Sequence, residues 1–270
     1  MFACLFFSVC ADSVPADIGC LYTAQQFKPP SVCSQIASYL SINIGPAGYT
    51  GHATTFEAAV HGFGSAAELR RLRKEVQAKY PPPKLPRVGP RPQDKAGPFF
   101  EEAAGINEYC FRFPGADSAV VRSTQNALAG RGQGSGLCPY YSAYFSAGNL
   151  WGASQVALFG SVFQTLARTG WGRSWLLNNP GAFTRGWFSR EGPTDEQMSQ
   201  ASFEMTFVAK GYSCPPDAAT GDDASTPTSA PPDMTIVTRV KGPEPGYVAT
   251  PIIFLAVARC LLEERETLPV

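Results

Sequence analysis

Three hydrophobic patterns alternate along the chain, and each predicts a different kind of element. Residues 2–9 (FACLFFSV) are almost continuously apolar, which fits a parallel strand covered on both faces. Residues 202–210 alternate instead: Phe203, Met205, Phe207 and Ala209 share one face, while Ser202, Glu204, Thr206 and Lys210 share the other. Residues 234–240 repeat that alternation, and the pair predicts an antiparallel sheet with one solvated face. The opening run has few partners of its own kind, so it reads as an orphan whose natural sheet lies elsewhere.

Helical spacing is clearer. Ser65-Ala-Ala-Glu68 reads as a capping box, followed by Leu69, Leu72 and Val76 on one face and Arg70, Arg71, Arg73 and Lys74 on a solvated one. Asp117 or Ser118 caps a helix running to Ala129, and Thr194 to Gln197 forms a second capping box. Thr250-Pro251 places a cap and a first-turn proline ahead of residues 252–262, which are apolar nearly all round. A helix apolar on every side needs cover on every side, making it a second orphan. Residues 81–98 are a Pro-rich, partly basic connector suited to polyproline II, and residues 213–233 are a flexible insertion between the alternating strands.

Residues 132–167 hold no charge and no histidine. Within them, residues 150–167 are helix-like and are followed by Arg168, Trp171, Arg173 and Trp175, and Gly148 and Gly152 have GxxxG spacing. Ser154, Gln155, Ser161, Gln164 and Thr165 interrupt the apolar face. Core helix, shallow lipid-facing insertion and true span all remain open.

Composition narrows the partners. The 270 residues suffice for one large domain or two small ones; 44% are apolar and 16% charged, which marks a globular chain. Lys+Arg and Asp+Glu both total 22, so there is no basic field to attract nucleic acid. The eight cysteines form no CxxC pair or zinc-type cluster and read as reduced thiols of an intracellular protein. The apolar N-terminus has the length of a signal-peptide core, but no Lys or Arg precedes it, and a buried strand is the better reading.

Candidate chemistry is sparse. The Gly-dense stretch from Gly130 to Gly136 follows a helix and precedes Cys138-Pro139, the wrong context for a phosphate loop, and Gln133 breaks a GxSxG elbow. His52 and His61 are the two histidines, and neither has a carboxylate in a recognisable relay. Asp12 and Ser13 follow the opening strand, where open α/β sheets gather ligands; they either face such a crevice or cap the helix begun by Pro15.

Four blocks carry a family resemblance. They are Asp12-Ser-Val-Pro-Ala-Asp-Ile-Gly19 with Leu21-Tyr-Thr23; Ile44-Gly-Pro-Ala-Gly48 with Ala59-Val-His-Gly-Phe-Gly64 and Leu69-Arg-Arg-Leu-Arg73; Phe188-Ser-Arg-Glu-Gly-Pro-Thr194 with Ala201-Ser-Phe203 and Gly211-Tyr-Ser213; and Val240-Lys-Gly-Pro-Glu-Pro-Gly-Tyr-Val-Ala-Thr-Pro251. Their order and content resemble the saccharopine dehydrogenase-like oxidoreductases, related to the trans-acting enoyl reductases. Cys10-Ala11 stands where that family has Gly-Phe, and Thr50 to Thr54 replaces a more acidic segment. The resemblance implies an α+β substrate and dimerisation domain with an antiparallel sheet and helices. A remnant strand and a C-terminal helix would belong to a truncated Rossmann domain: residues 1–24 form its remnant, 25–240 the substrate side, and 241–270 the returning helix.

The resemblance further implies NAD(P) as cofactor in full-length members, with none expected for this chain alone, and a lipid-like substrate. It also implies a membrane, lipid-droplet or mitochondrial setting, a link to glycolipid synthesis, and a homodimer. Asp12 and Ser13 become the cofactor-side candidates; His52, Tyr247 and Thr250 become the substrate-side ones. The catalytic acid and base are not identified, no metal is implied, and a non-catalytic lipid-binding or dimerisation module is the alternative.

Overall fold

The computed structural model describes residues 13–95, 97–130, 138–214 and 230–266. The expected strand at residues 2–9 lies outside them. The described chain divides into two compact units.

The first unit draws on residues 13–42, 83–147 and 202–266. Its centre is a six-stranded sheet of β1 (Val32–Asn43), β3 (Phe99–Glu101), β4 (Glu108–Arg112), β5 (Tyr140–Ser146), β7 (Ser202–Tyr212) and β8 (Met234–Pro243), in the order β3-β4-β5-β1-β7-β8. The expected antiparallel sheet is corrected here to a mixed one. β3/β4, β4/β5 and β7/β8 are antiparallel, but β1 and β5 run parallel, with Gln35 opposite Tyr140 and Leu40 opposite Phe145. Parallel neighbours need a long crossover, and nearly a hundred residues separate these two strands.

Helix α1 (Ser13–Ala24) packs Ala16 and Cys20 against Phe207, Met205 and Ala209 of β7 and Ile36 of β1. Helix α4 (Asp117–Gly130) adds Val121 to the same core. The alternation in β7 places Phe203, Met205, Phe207 and Ala209 inside, as the sequence predicts. Its opposite face is not simply solvated: Thr206 is buried, and Val208 is buried in a second cluster with Tyr39, Cys110 and Tyr144. The Pro-rich connector is likewise held in place. Ser34 donates to the Val88 carbonyl at 2.6 Å, and Cys138 N–H donates to that of Pro86 at 2.9 Å.

The second unit draws on residues 43–82 and 148–201. The short strands β2 (Gly51–His52) and β6 (Phe188–Ser189) pair in parallel. Around them stand helices α2 (Ala53–Gly64), α3 (Ala66–Lys79), α5 (Leu150–Ala167), α6 (Gly170–Asn178), α7 (Pro180–Thr184) and α8 (Asp195–Gln200). Their core is aromatic, with Phe56, Phe163, Phe183 and Phe188 within ring-contact distance beside Val60 and Leu176. The capping box at Thr194 forms with both reciprocal bonds. The one expected at Ser65 does not: its side chain makes no capping bond, because Ser65 already closes α2 through its own N–H to His61 and Phe63 carbonyls. The apolar stripe of α3 faces outward, with Leu69, Leu72 and Val76 all exposed.

Candidate functional site

The cofactor-side candidates come first in the chain. Asp12 lies outside the described residues. Ser13 opens α1 and is 4% exposed, and its hydroxyl donates to Asp117 Oδ1 at 3.4 Å. One turn on, Asp17 accepts from the Thr124 hydroxyl at 2.7 Å; burial pushes the Asp17 carboxyl up, and the threonine bond partly offsets it. Both groups therefore tie α1 to α4. Pro15 also removes one of the first-turn N–H groups that a pyrophosphate uses. The first turn of α1 therefore does not fit a pyrophosphate.

The substrate-side candidates fall in different units. His52 is the N-cap of α2, where Nδ1 accepts from Thr54 N–H at 3.2 Å, a local structural job. Tyr247 and Thr250 belong to the first unit, at a π-helical turn (Pro245–Ala249) that leads into α9 (Thr250–Glu263). Thr250 is not the expected cap, since it lies inside the helix and donates its hydroxyl to the Pro245 carbonyl at 2.7 Å. The cap is Glu244, 1% exposed, whose carboxylate accepts from the N–H groups of Gly246, Tyr247 and Val248. The sequence holds a signal for it: an acid directly before a proline-glycine helix start, aligned with the helix dipole.

Two apolar surfaces are open. α9 buries none of its residues, and with the preceding turn it is long and apolar enough to cross a membrane. In the second unit, α5 buries only Ala153, Phe163 and Ala167, leaving Leu150, Trp151, Leu158 and Val162 exposed, with Trp171 and Trp187 exposed nearby in sequence. The hydroxyls that interrupt its apolar face are already bonded. Ser154, Ser161 and Thr165 donate to the carbonyls of Leu150, Ala157 and Ser161 at 2.7–2.8 Å, so lipid contact leaves none of them orphaned. The GxxxG spacing serves the helix start: Gly148 precedes α5 at φ +70°, and Asn149 Oδ1 accepts from Gly152 N–H.

Catalytic nucleophiles and metal donors are scarce. No group of three or more His, Cys, Asp or Glu that could hold a metal occurs among the described residues. Burial pushes the Cys33 thiol up to about 12, that of Cys110 up to about 11, and that of Cys20 further, so these are inert core thiols. One cavity of the first unit is basic. It encloses about 290 Å³ of the first unit and is lined by Arg87, Arg91, Arg112, Arg122, Ser118 and Tyr140 among others. The sequence reading missed it because the four arginines lie on three different elements, the Pro-rich connector, β4 and α4, which only the fold brings together.

Comparison with known proteins gives a consistent family. Over 258 residues the chain is 36% identical to a human saccharopine dehydrogenase-like oxidoreductase, covering 96% of this chain and 56% of that protein. A probable mitochondrial saccharopine dehydrogenase-like oxidoreductase of Arabidopsis thaliana is 32% identical over 284 residues, covering 98% and 60%. A lipid droplet localized protein of Caenorhabditis elegans is 24% identical over 262 residues, covering 96% and 58%. No family model matches the chain, and no solved structure matches it. The chain thus spans little more than half the length of the curated relatives it matches.

Proposed function

Because this chain belongs to the saccharopine dehydrogenase-like oxidoreductase family, we propose that it is the substrate-side part of a lipid-linked, NAD(P)-dependent oxidoreductase held at a membrane or lipid-droplet surface. The nicotinamide group would supply hydride transfer, bound by a nucleotide-binding half that these described residues do not provide. This chain's contribution is to hold an apolar substrate and the lipid surface that delivers it, and without the other half it is inactive. The names of two relatives, one probable mitochondrial and one lipid droplet localized, support such a setting.

The observation that carries this reading is α5: an 18-residue helix with an open apolar face, self-bonded hydroxyls, an exposed Trp151 in its first turn, and an exposed Trp171 just past its end, in the first turn of α6. Tryptophan at the ends of an apolar helix suits the headgroup level, and a shallow insertion would remove Leu158 and Val162 from water. Trp151 and Leu158 are the residues to change, because they are 72% and 68% exposed, whereas Phe159, at 42%, also stacks on Phe163 and Phe183. In a liposome flotation assay the wild-type chain should float, and the double variant Trp151→Asp/Leu158→Asp should stay in the dense fraction with its helical circular dichroism intact. Each charge would cost about 2.5–3.5 kcal/mol at the bilayer centre and less at shallow depth. A wild-type chain that never floats would end this reading.

A further inference from the structure

The basic cavity of the first unit has no role in the reading above, and its construction is informative. Arg87 comes from the Pro-rich connector, Arg91 lies four residues further along it, Arg112 ends β4, and Arg122 projects from α4. Arg87 is fixed: one guanidinium nitrogen donates to the Pro139 carbonyl at 2.8 Å, the other to Gln125 Oε1 at 3.4 Å, and the plane lies 4.5 Å from the Tyr140 ring centre. Arg91 and Arg112 share a single counterion, Asp94, each at 3.6 Å. Arg122 has no bonded or ionic partner among the described residues, yet it stands close enough to Arg87 to oppose its charge. Four cations and one carboxylate line the cavity, leaving a local excess of three positive charges in a chain whose formal net charge is zero. Holding like charges together opposes folding, and an anion in the cavity would relieve that repulsion.

We propose that this cavity binds a phosphate monoester through Arg87, Arg91 and Arg122, with the Ser118 and Tyr140 hydroxyls as further donors. The geometry favours phosphate over carboxylate. Guanidinium groups arriving from a loop and a helix suit a tetrahedral dianion with three free oxygens, whereas a planar carboxylate is served by one fork. At about 290 Å³ the cavity is at the small end of ligand sites, roughly 300–1,000 Å³, so it admits a phosphate and a few attached atoms but no acyl chain. The ligand is therefore a small phosphoester or the headgroup of a phosphomonoester lipid, and the proposal stands independently of the membrane reading of α5.

The test uses the whole chain at constant ionic strength. Inorganic phosphate and glycerol phosphate are titrated by calorimetry, and vesicles of phosphatidylcholine with or without phosphatidic acid are used in co-sedimentation. Arg122→Gln is the first variant, since it removes no internal bond, and Arg91→Gln/Arg122→Gln is the second; unchanged thermal unfolding confirms that both are folded. Saturable binding of glycerol phosphate, weakened by about tenfold or more in the double variant, supports a soluble phosphoester. Capture by phosphatidic acid vesicles that Arg122→Gln weakens, without glycerol phosphate binding, supports the headgroup. Absence of both, or binding that neither variant weakens, overturns the proposal.

Discussion

Tyr39 donates its hydroxyl to Glu101 Oε2 at 2.7 Å, Lys95 reaches the same oxygen at 3.2 Å, and Ala103 N–H bonds the other oxygen at 3.1 Å. Burial raises the Glu101 carboxyl, but these three donors outweigh it and hold the group below its ordinary value. A depressed carboxyl stabilises the fold above its unfolded pKa of about 4.3, and that contribution is lost as pH falls through the lower folded value. Tyr39→Phe should therefore destabilise the chain at neutral pH, with the gap narrowing as pH drops below about 4; denaturant titrations at several pH values measure it. A gap independent of pH would show that the hydroxyl contributes whatever the charge on Glu101, and no gap at all that Tyr39 acts by packing alone. Glu244 is a second carboxylate held by three donors, all of them backbone N–H groups. Removing its carboxylate leaves three N–H groups at the start of α9 without their acceptor, so Glu244→Ala should cost about 2–4 kcal/mol, read from chemical denaturation. The sequence displays Glu244 inside its most family-specific block, but an acid beside Pro-Gly is equally at home in solvent, and only the fold shows it buried.

Between elements, close approach decides what composition does not. Gly19 lets α1 lie against β7: a Cβ there would sit 2.3 Å from the tip of the Phe207 ring, itself wholly buried. Helix propensity alone favours Gly19→Ala by about 1 kcal/mol, yet overpacking of roughly 1–3 kcal/mol should win and lower the melting temperature. A stabilised variant would mean that Phe207 can turn aside at no cost. The elements legible in the sequence were those with clean periodicity: β7, β8, and the helices at α3, α4, α5 and α9. β1 was not legible, because Ser34 and Ser38 occupy buried positions and spoil its apolar pattern. Both serines are satisfied across the fold, by the Val88 carbonyl and the Tyr141 hydroxyl, partners that no local reading supplies. With β1 missing, its parallel pairing to β5 was out of reach as well.

For the whole molecule, the sequence carries no GxGxxG or Walker-type phosphate loop, so the 270-residue chain should show no NADPH affinity tighter than about millimolar, read by nicotinamide fluorescence. Saturable quenching at micromolar cofactor would contradict it. The arginine cavity shows why sites are harder to read than folds: its side chains meet only after β4, α4 and the Pro-rich connector have been brought together. The same separation in sequence has a consequence for biogenesis. The second unit is assembled from two excursions of the chain, residues 43–82 and 148–201, with a stretch of the first unit between them. On a ribosome adding about 5–20 residues per second, its first half emerges on the order of ten seconds before its second. During that wait Phe56 and Val60 have none of their α5 and α6 partners, so nascent-chain holding factors should find their principal target in this early half.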